Sequence, residues 1–364
     1  MNPDKKFSFQ QLTDDHQSII ISGPCSAETE EQVMETAKSL AISGKVHLFR
    51  SGIWKPRTKP GLFEGVGEVG LAWLNNVQST YGLPVTTEVA NAGHVELALK
   101  YNIDVLWLGA RTTVSPFAVQ EIASALKGVN IPVLIKNPLN PDIQLWIGAV
   151  ERIQHASIGE IGLIHRGFSS FSSRPYRNAP MWQIPIEMKS IFPNLPMICD
   201  PSHICGNRHL LKDIAQKSID LDFSGLMLES HPNPDQAWSD AAQQLTPNDF
   251  LTLLHQLVWR SNLLIEEEQI RQLHLIRAEI DHTDDELIRL LSLRMKLSDK
   301  IGALKKNYNV TILQAERWNE ILQRFLQKGK ELGLSDEFVK KYFEAVHLES
   351  INHQNNIMNE VISK

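Results

Sequence analysis

The sequence predicts an α/β fold in which a (β/α)8 barrel is followed by a separate all-α domain of three helices that dimerises. Residues 1–245 alternate short β-rich runs with helical stretches, and eight such units can be counted. After about Glu266 the strand signals stop and apolar residues recur at helical spacing. Eight βα units are typical of a TIM barrel. We therefore expect a barrel over 1–250, a helical linker over 251–267 and a helical domain over 268–364.

The predicted strands are short apolar runs at 19–21, 46–49, 84–87, 105–108, 132–135, 161–164, 197–199 and 225–228. Polar residues follow them directly. These are residues 23–26, Arg50, Glu88, Arg111, Lys136, His165, Arg166, residues 200–203 and Glu229. Because the active site of a barrel lies at the carboxyl ends of its strands, we expect these residues at one common rim.

The apolar residues after Glu266 predict one helix of roughly forty residues. Residues 307–309 end it, a second helix follows from about Leu313, and a turn at 329–335 precedes a third helix from Asp336. Three helices of such unequal length make a poor core within one chain. We therefore expect a homodimer through this domain, with any higher assembly left open.

Composition restricts the possible partners and the compartment. The 364 residues are 42% hydrophobic and 21% charged, and the formal net charge of −6 provides no general basic surface, so nucleic acid is not an expected partner. We expect no membrane span and no secretory signal. Three cysteines, an odd and sparse set, indicate reduced thiols. The sequence thus predicts a cytoplasmic protein.

Cysteine, histidine and carboxylate residues follow strands at two distant places in the chain. Cys25 comes after the first strand, Asp200 and His203 come after the seventh, and Glu229 and Asp240 come after the eighth. This mixed soft and hard donor set predicts one catalytic site for a divalent ion such as Mn²⁺, Co²⁺, Zn²⁺ or Fe²⁺. The alternative for Cys25 taken alone is a small buried apolar residue.

Five cations at the predicted rim imply an anionic ligand, because like charges crowd together there. Pairing of these cations with internal carboxylates is the alternative. The five cations are Arg50, Lys55, Arg111, Lys136 and Arg166.

A loop after the second strand, 55–58, is stiffened by Pro56 and Pro60.

The ordered motifs of residues 1–250 resemble those of the short, type I beta 3-deoxy-D-arabino-heptulosonate 7-phosphate (DAHP) synthases. The motifs are Gly-Pro-Cys-Ser at 23–26, Lys-Pro-Arg-Thr at 55–58, Gly-Ala-Arg at 109–111, His-Arg-Gly at 165–167 and Asp-Pro-Ser-His at 200–203. The resemblance implies condensation of phosphoenolpyruvate with erythrose 4-phosphate, with release of phosphate. The sister family that makes 3-deoxy-manno-octulosonate 8-phosphate typically has Lys-Ala-Asn where this chain has Lys55, Pro56 and Arg57.

The resemblance also implies roles for individual residues. It assigns Cys25, His203, Glu229 and Asp240 as ligands of an ion that polarises the aldehyde carbonyl. Phosphoenolpyruvate is held by the five cations, and the second phosphate by Lys55, Pro56, Arg57 and Thr58. Lys55 or a water on the metal is the proton donor to the new alkoxide, and that choice stays open. Thr112 to Ser115 depart from the Asn-Met-Gln-Asn that often follows Gly-Ala-Arg.

Residues 269–360 resemble the all-helical chorismate mutases. Ungapped matching then implies a site that clamps the two carboxylates of chorismate and yields prephenate. Lys305 and Gln354 are its donors to the breaking ether oxygen. Trp318 stands where the family usually has a glutamate, and Gln314 and Glu320 are the candidates to compensate. The implied site residues are Arg277, Arg294, Lys305, Arg317, Ser350 and Gln354, with Arg277 acting across the dimer.

Two other interpretations of the helical domain remain open. In the first interpretation, the cations of the domain are solvated charges on a dimerisation module. In the second, the domain senses chorismate or prephenate and inhibits the barrel by feedback. Catalysis and sensing are compatible, so we expect a mutase domain that also mediates feedback inhibition by prephenate or chorismate. The alternative is a DAHP synthase with a catalytically silent, ligand-sensing or dimerising domain.

Overall fold

The computed structural model describes residues 7–15, 17–57, 61–156, 159–170, 175–260, 267–313 and 315–359. The chain divides into two compact units, one within Met1–Asn262 and one within Leu263–Lys364. The first unit contains a closed barrel in which eight strands pair in parallel and in sequence order. The second unit is helical in its described part. The predicted fold class, a (β/α)8 barrel followed by a separate all-α domain, is therefore confirmed.

The strands are short and buried on both faces, as the apolar runs predicted. Observed and predicted limits differ by at most two residues. The strands are β1 (Ile19–Gly23), β2 (Leu48–Arg50), β3 (Val85–Val89), β4 (Val105–Leu108), β5 (Val133–Lys136), β6 (Ile161–His165), β7 (Met197–Cys199) and β8 (Gly225–Glu229).

Helices connect and surround these strands. Several begin at a side-chain N-cap: Thr29, Asn91, Ser115 and Thr246 each accept a backbone N–H of the first turn. The helices of this unit are α1 (Phe9–Asp14), α2 (Glu30–Ser43), α3 (Val69–Tyr81), α4 (Ala92–Lys100), α5 (Ala110–Thr113), α6 (Pro116–Ala125), α7 (Ile143–His155), α8 (Gln183–Ile191), α9 (Pro201–Cys205), α10 (Leu211–Asp220) and α11 (Pro247–Gln256).

Alternation along the strands separates two apolar cores. One set of side chains fills the barrel interior and includes Leu48, Trp107 and Ile164. The alternate residues, among them Phe49 and Leu163, pack outward against the helices. A residue two positions beyond an interior residue therefore also faces inward, but at the carboxyl rim. This rule places five charged residues there: Arg50, Lys136, Arg166, Asp200 and Glu229.

Of the helical linker predicted over 251–267, residues 251–256 and 267 are helical, residues 257–260 are not, and residues 261–266 lie outside the described residues. Helix α11 ends at Gln256, and Leu257 is extended. Phe250 and Leu254 of this helix are buried in the outer apolar core of the barrel. Helix α11 is thus part of the barrel unit, because its apolar face packs there. Residues 257–260, which follow the helix, have no helical structure.

The helical unit contains α12 (Glu267–Tyr308), α13 (Ala315–Glu331) and α14 (Asp336–Asn359). Helix α12 is 42 residues long and ends before Asn309, whose φ of 54° is left-handed. Helix α14 packs along it, and Gly302 lies so close to Gln354 that an added Cβ would be 3.0 Å from the Cα of Gln354. Within this unit, α12 leaves many of its large apolar side chains exposed, including Ile276, Leu290 and Leu297.

Among the described helices, none combines the length and the apolarity that a membrane span requires.

Candidate active sites

A cysteine and two carboxylates meet at the carboxyl rim of the barrel. One donor atom from each of Cys25, Glu229 and Asp240 lies within 4.8 Å of the other two. Glu229 ends β8, whereas Cys25 and Asp240 lie in the loops after β1 and β8. The loops bring these donors back over the interior of the barrel. Three of the four predicted metal ligands are therefore adjacent.

His203, the fourth predicted ligand, lies beside this group and outside its 4.8 Å limit. Its Nε2 is 3.8 Å from Oε1 of Glu229. Nδ1 of His203 is 2.8 Å from Oδ2 of Asp200, close but poorly aligned for a hydrogen bond. The backbone N–H of His203 donates to Oδ1 of Asp200. Burial lowers the pKa of His203, against the opposing effect of Asp200. The neutral ring thus has Nδ1 at a carboxylate and Nε2 towards Glu229, as in many metal-binding histidines.

The donor chemistry fits a divalent ion. A thiol and two carboxylates combine soft and hard ligands. Oε1 of Glu229 is buried and accepts no well-aligned hydrogen bond, although NH1 of Arg50 lies 3.2 Å away, so a lone pair is left for coordination. Burial first, and then the charge of Glu229, raise the pKa of Cys25 to about 12, so its deprotonation calls for a nearby cation.

Lys55 supplies a cation at this group. Its Nζ lies 2.9 Å from Sγ and 3.1 Å from the carbonyl oxygen of Cys25. Burial lowers the pKa of Lys55, but the charges of Cys25 and Glu229 outweigh burial and raise it overall. Lys55 is therefore held as an ammonium between the Cys25 sulfur and the adjacent cavity.

Arg50 and Lys136, among the predicted cations, are paired with carboxylates of the rim. Arg50 NH1 lies 3.2 Å from Oε1 of Glu229, and Lys136 Nζ donates to Oδ2 of Asp200 at 2.9 Å. Trp107 lies beneath both cations, 4.9 Å from the guanidinium of Arg50 and 5.7 Å from Nζ of Lys136. The alternative of internal pairing thus holds for these two residues.

Arg166 has a different environment. It is 6% exposed, and no ion pair to it is found among the described residues. Burial lowers its pKa to about 10; Asp200 opposes this, while Arg177 and Arg111 add to the lowering. A buried cation beside other cations favours an anionic ligand. These arginines line a cavity of about 90 Å³ together with Lys55, Pro56, Arg57, Glu88, Lys136, His203 and Asp240.

The rest of the predicted phosphate loop is only partly described. Pro56 lines the cavity, and Nε of Arg57 donates to the carbonyl oxygen of Phe63 at 2.8 Å. Thr58 lies outside the described residues. In the segment that departs from the usual family sequence, Thr113 Oγ1 donates to the carbonyl oxygen of Lys136 at 2.9 Å. This bond fixes helix α5, which carries Arg111, to the end of β5.

Several residues of the site are not predicted by the sequence. Arg177 reaches it from the loop after β6, and Gln243 donates to Oε2 of Glu229 at 2.6 Å. Glu88 is expected only as a rim residue; its Oε2 accepts a hydrogen bond from Nε1 of Trp107 at 3.0 Å. Alternation along β3 and β4 is the signal that could have predicted Glu88 and Trp107. No comparable pattern points to Arg177 or Gln243.

His165 does not face the site, although it is adjacent to Arg166 in the sequence. Ile164 and Arg166 face the interior, so His165 lies on the outer side of β6. Its ring is fully buried and contacts the rings of Phe168, Trp182 and Phe223. Burial, reinforced by Arg166, lowers the pKa of His165 to about 3. It is a neutral residue of the outer core.

In the helical unit, α12 and α14 bring three predicted site residues together. Arg294 NH1 donates to Oγ of Ser350, which is buried, and Nε2 of Gln354 donates to the carbonyl oxygen of Ser350 at 3.2 Å. Oε1 of Gln354 is buried without a hydrogen-bond partner. Burial lowers the pKa of Arg294. These residues form a half-buried polar cluster.

The other predicted mutase residues are more exposed. Lys305 Nζ donates to the carbonyl oxygen of Ile312, and burial lowers its pKa. Arg277 is exposed on α12. Arg317 is exposed on α13 and donates to Oε2 of Glu320 at 2.9 Å. Within this chain, Arg277 and Arg317 are thus not seen to join the Arg294 cluster.

Trp318 stacks on His347 of α14, with ring centroids 4.2 Å apart and an interplanar angle of 17°. Burial, followed by the charges of Arg294 and Lys305, lowers the pKa of His347, so the stack lies close to both cations. Of the candidates to replace the missing glutamate, Glu320 is paired with Arg317, and Gln314 lies outside the described residues.

Comparison with known proteins agrees with this geometry. Residues 9–266 match the model of the DAHP synthetase I family. The chain belongs to the DAHP synthetase I family. It is 33% identical over 238 residues to phospho-2-dehydro-3-deoxyheptonate aldolase from Thermotoga maritima, a match that covers 65% of this chain and 68% of the relative. The family is metal-dependent, which agrees with the donor group at the rim.

The sister family is also similar, at lower identity. A 2-dehydro-3-deoxyphosphooctonate aldolase from Dechloromonas aromatica is 27% identical over 270 residues, covering 67% of this chain and 91% of the relative. Among solved structures, the crystal structure of DAHP synthase from Thermotoga maritima superposes with a TM-score of 0.57 at 32% identity. This match covers 65% of this chain and 67% of that chain.

The helical unit has its own family match. Residues 276–355 match the model described as chorismate mutase type II. The chain therefore combines a DAHP synthase domain, a transferase, with a C-terminal chorismate mutase domain, an isomerase.

Proposed function

We propose that the barrel condenses phosphoenolpyruvate with erythrose 4-phosphate to DAHP and phosphate, and that the helical domain rearranges chorismate to prephenate. The observation that carries the first activity is the buried cation Arg166, which lines a cavity with Arg57 and Arg111 next to the Cys25 group. Such a cavity suits a small ligand with several negative charges. Lys55, Pro56 and Arg57 line the same cavity, and the charges of Lys55 and Arg57 suit a second phosphate.

Each side chain has a distinct task in this proposal. Arg111, Lys136 and Arg166 bind the carboxylate and phosphate of phosphoenolpyruvate, and Arg57 with Thr58 binds the phosphate of the aldehyde substrate. A divalent ion held by Cys25, His203, Glu229 and Asp240 polarises the aldehyde when bound. Lys55 holds a proton at Nζ within reach of this group, which suits proton donation to the new alkoxide.

Substrate choice gives the sharpest test of the synthase activity. With metal present, phosphate release from phosphoenolpyruvate should require erythrose 4-phosphate. A five-carbon aldose phosphate, which would give the eight-carbon product of the sister family, should support turnover at least about tenfold less well. Equal or better turnover with the five-carbon substrate would transfer the protein to the sister activity.

For the mutase we propose a homodimer in which each site combines residues of two chains. The exposed apolar side chains of α12 support it, since a helix of 42 residues with such a surface calls for a partner. Arg277 of the partner chain then joins Arg294, Lys305 and Gln354. Higher assembly is not part of this proposal.

Disappearance of chorismate, followed by absorbance, tests the mutase in the intact protein. If the protein converts chorismate and the Arg294→Ala variant does not, the result supports a mutase, because Arg294 lies at the centre of the polar cluster. Arg271→Ala is the matched control, since Arg271 pairs with Glu268 on the exposed surface of the same helix.

A second candidate for the helical domain is a sensor without catalysis. The stack of Trp318 on His347, in place of a glutamate, favours it. Binding of chorismate or prephenate without turnover, measured by calorimetry and removed by Arg294→Ala, would establish this sensor.

We further propose that prephenate or chorismate inhibits the synthase through the helical domain. The presence of both domains in one chain supports this. Inhibition should be abolished by Arg294→Ala in the full chain and by removal of residues 268–364. Inhibition that persists in both proteins would place the inhibitor on the barrel itself.

A further inference from the structure

The segment that follows β6 and carries Arg177 and Asn178 is hydrogen-bonded to the turn that carries His203. The backbone N–H of Arg177 donates to the carbonyl oxygen of Cys205 at 3.2 Å, and that of Asn178 to Ile204 at 3.1 Å. Nδ2 of Asn178 donates to the carbonyl oxygen of His203 at 2.7 Å. Three hydrogen bonds thus fix one predicted metal ligand relative to this segment.

The side chain of Arg177 contacts the carboxylate side of the same group. Its NH1 donates to Oδ1 of Asp240 at 2.9 Å and to Oε1 of Gln243 at 3.1 Å. Gln243 in turn donates to Oε2 of Glu229 at 2.6 Å. Each carboxylate therefore has one oxygen held from outside. The other oxygen of Asp240, Oδ2, accepts a hydrogen bond from Sγ of Cys25 at 3.2 Å, and the other oxygen of Glu229, Oε1, lies 3.8 Å from Nε2 of His203.

Local backbone features accommodate this arrangement. Gly206 has a φ of +67°, and a Cβ there would lie 2.5 Å from Cβ and 2.9 Å from Cδ of Arg177. A side chain at position 206 would therefore displace Arg177. Asp240 has a φ of 49°, a left-handed conformation that is uncommon for a residue with a side chain. Its ion pair with Arg177 helps to hold the carboxylate in this conformation.

We propose that Arg177 is a positioning residue that orients Asp240 directly, and Glu229 through Gln243, for the divalent ion of the synthase. This inference rests on the proposed metal-dependent synthase activity. Outer contacts of this kind orient the ligands of a metal and commonly change its affinity about 10- to 100-fold. Arg177 is suited to the task because a guanidinium can donate to two acceptors in fixed directions, which an ammonium does less well.

Titration of the metal-free full-length protein with Co²⁺ tests this role without reference to activity. The charge-transfer absorption band between the thiolate of Cys25 and Co²⁺ reports binding. The weaker visible bands of Co²⁺ report the geometry of its ligands. Arg177→Gln should weaken Co²⁺ binding about 10- to 100-fold and shift these bands, and Arg177→Lys should restore part of the affinity. Arg260→Gln is the control, because Arg260 pairs with Asp220, a residue outside the site.

Gln243→Leu provides an independent variant if Arg177→Gln does not fold. It removes only the donor to Glu229, so a smaller loss of Co²⁺ affinity is expected. Unchanged Co²⁺ affinity and bands in Arg177→Gln, with only a raised KM for phosphoenolpyruvate, would overturn the inference and make Arg177 a substrate ligand. The synthase proposal would survive that result. Absence of a thiolate band in the unaltered protein, or its persistence in Cys25→Ala, would instead refute the metal site and the inference with it.

Discussion

The two units of this chain place their polar residues in opposite ways. In the barrel, Arg50, Lys136 and Glu229 end short strands and are buried, and the partner of each lies on the far side of one intervening strand. In the helical unit, Arg277 and Arg317 lie on exposed helix surfaces. The barrel therefore assembles its site within one chain. The helical unit, by contrast, brings together only part of its predicted site.

This difference has a physical basis. A closed sheet has no free edge and buries both faces of every strand, so its rim is rigid. A long helix buries only the stripe that meets a partner. Because α12 leaves Leu290 and Leu297 exposed, its further packing calls for a second helix surface. Tests that separate the two units, or that mix chains, therefore address this contrast directly.

The largest expected effects come from a reciprocal pair of variants. Cys25→Ala should lower synthase activity at least about a hundredfold, because the metal loses its thiolate ligand, and should leave mutase activity unchanged. Arg294→Ala should do the reverse. Both activities are measured on the same preparations. Loss of both activities in either folded variant would contradict two separate sites.

Mixing of subunits is the next test, since it addresses whether a mutase site contains residues of two chains. Arg277→Ala and Arg294→Ala should each be inactive alone. After unfolding and refolding together, random pairing should restore about a quarter of the mutase activity, because each mixed dimer has one intact site. Recovery should depend on protein concentration. No recovery, despite mixed dimers seen by native mass spectrometry, would place Arg277 and Arg294 in the site of the same chain.

Arg317→Ala distinguishes a substrate clamp from a surface charge. The Arg317 and Glu320 side chains are 60% and 67% exposed, so loss of their ion pair should not change the urea midpoint of unfolding. Mutase kcat/KM should nevertheless fall at least about tenfold if Arg317 binds a carboxylate of chorismate. Arg289→Ala, which breaks a similar exposed pair with Glu286, is the control. Equal activity in both variants would support the dimerisation or sensing interpretation.

The smallest expected effect concerns the outer core of the barrel. The pKa of His165 is about 3 in the folded protein and about 6.5 in an unfolded chain. At pH values between these two, the unfolded state therefore binds a proton more readily than the folded state. The unfolding free energy should therefore fall as pH drops below 6.5, by up to about 1.4 kcal/mol per pH unit from this residue. His165→Gln should show a shallower decline between about pH 7 and pH 5 in urea unfolding.

His209→Gln is the matched control for that measurement, because His209 is exposed on the same unit. It should keep the slope of the unaltered protein. Identical slopes in all three proteins would show that protonation of His165 does not contribute to acid sensitivity.

The barrel is predictable because each strand is a short apolar run followed by a polar residue. The rim cations Lys136 and Arg166 are predictable for the same reason. The orientation of His165 is not, since Ile161, Leu163 and Ile164 are apolar on both faces of β6 and the run itself does not say which face is interior. Pairing with β5 and β7 decides this.

Loop residues are less predictable than strand residues. Arg177 reaches the site through hydrogen bonds to the turn after β7, a contact between segments that no periodicity encodes. Resemblance to known mutases assigns Arg294 and Ser350 to one site, and the structure has a hydrogen bond between them. It does not predict the stack of Trp318 on His347, because that stack depends on how α13 and α14 pack.

Alternation along β6 also determines which changes in chain length the barrel can tolerate. One residue inserted before Ile164 would exchange the two faces of the strand's end. The imidazole of His165 would then enter the anion cavity, and the guanidinium of Arg166 would turn to the outer side of the strand, away from that cavity. Insertions in the strands should therefore be far more harmful than insertions in the exposed loops, even where no residue of the site is replaced.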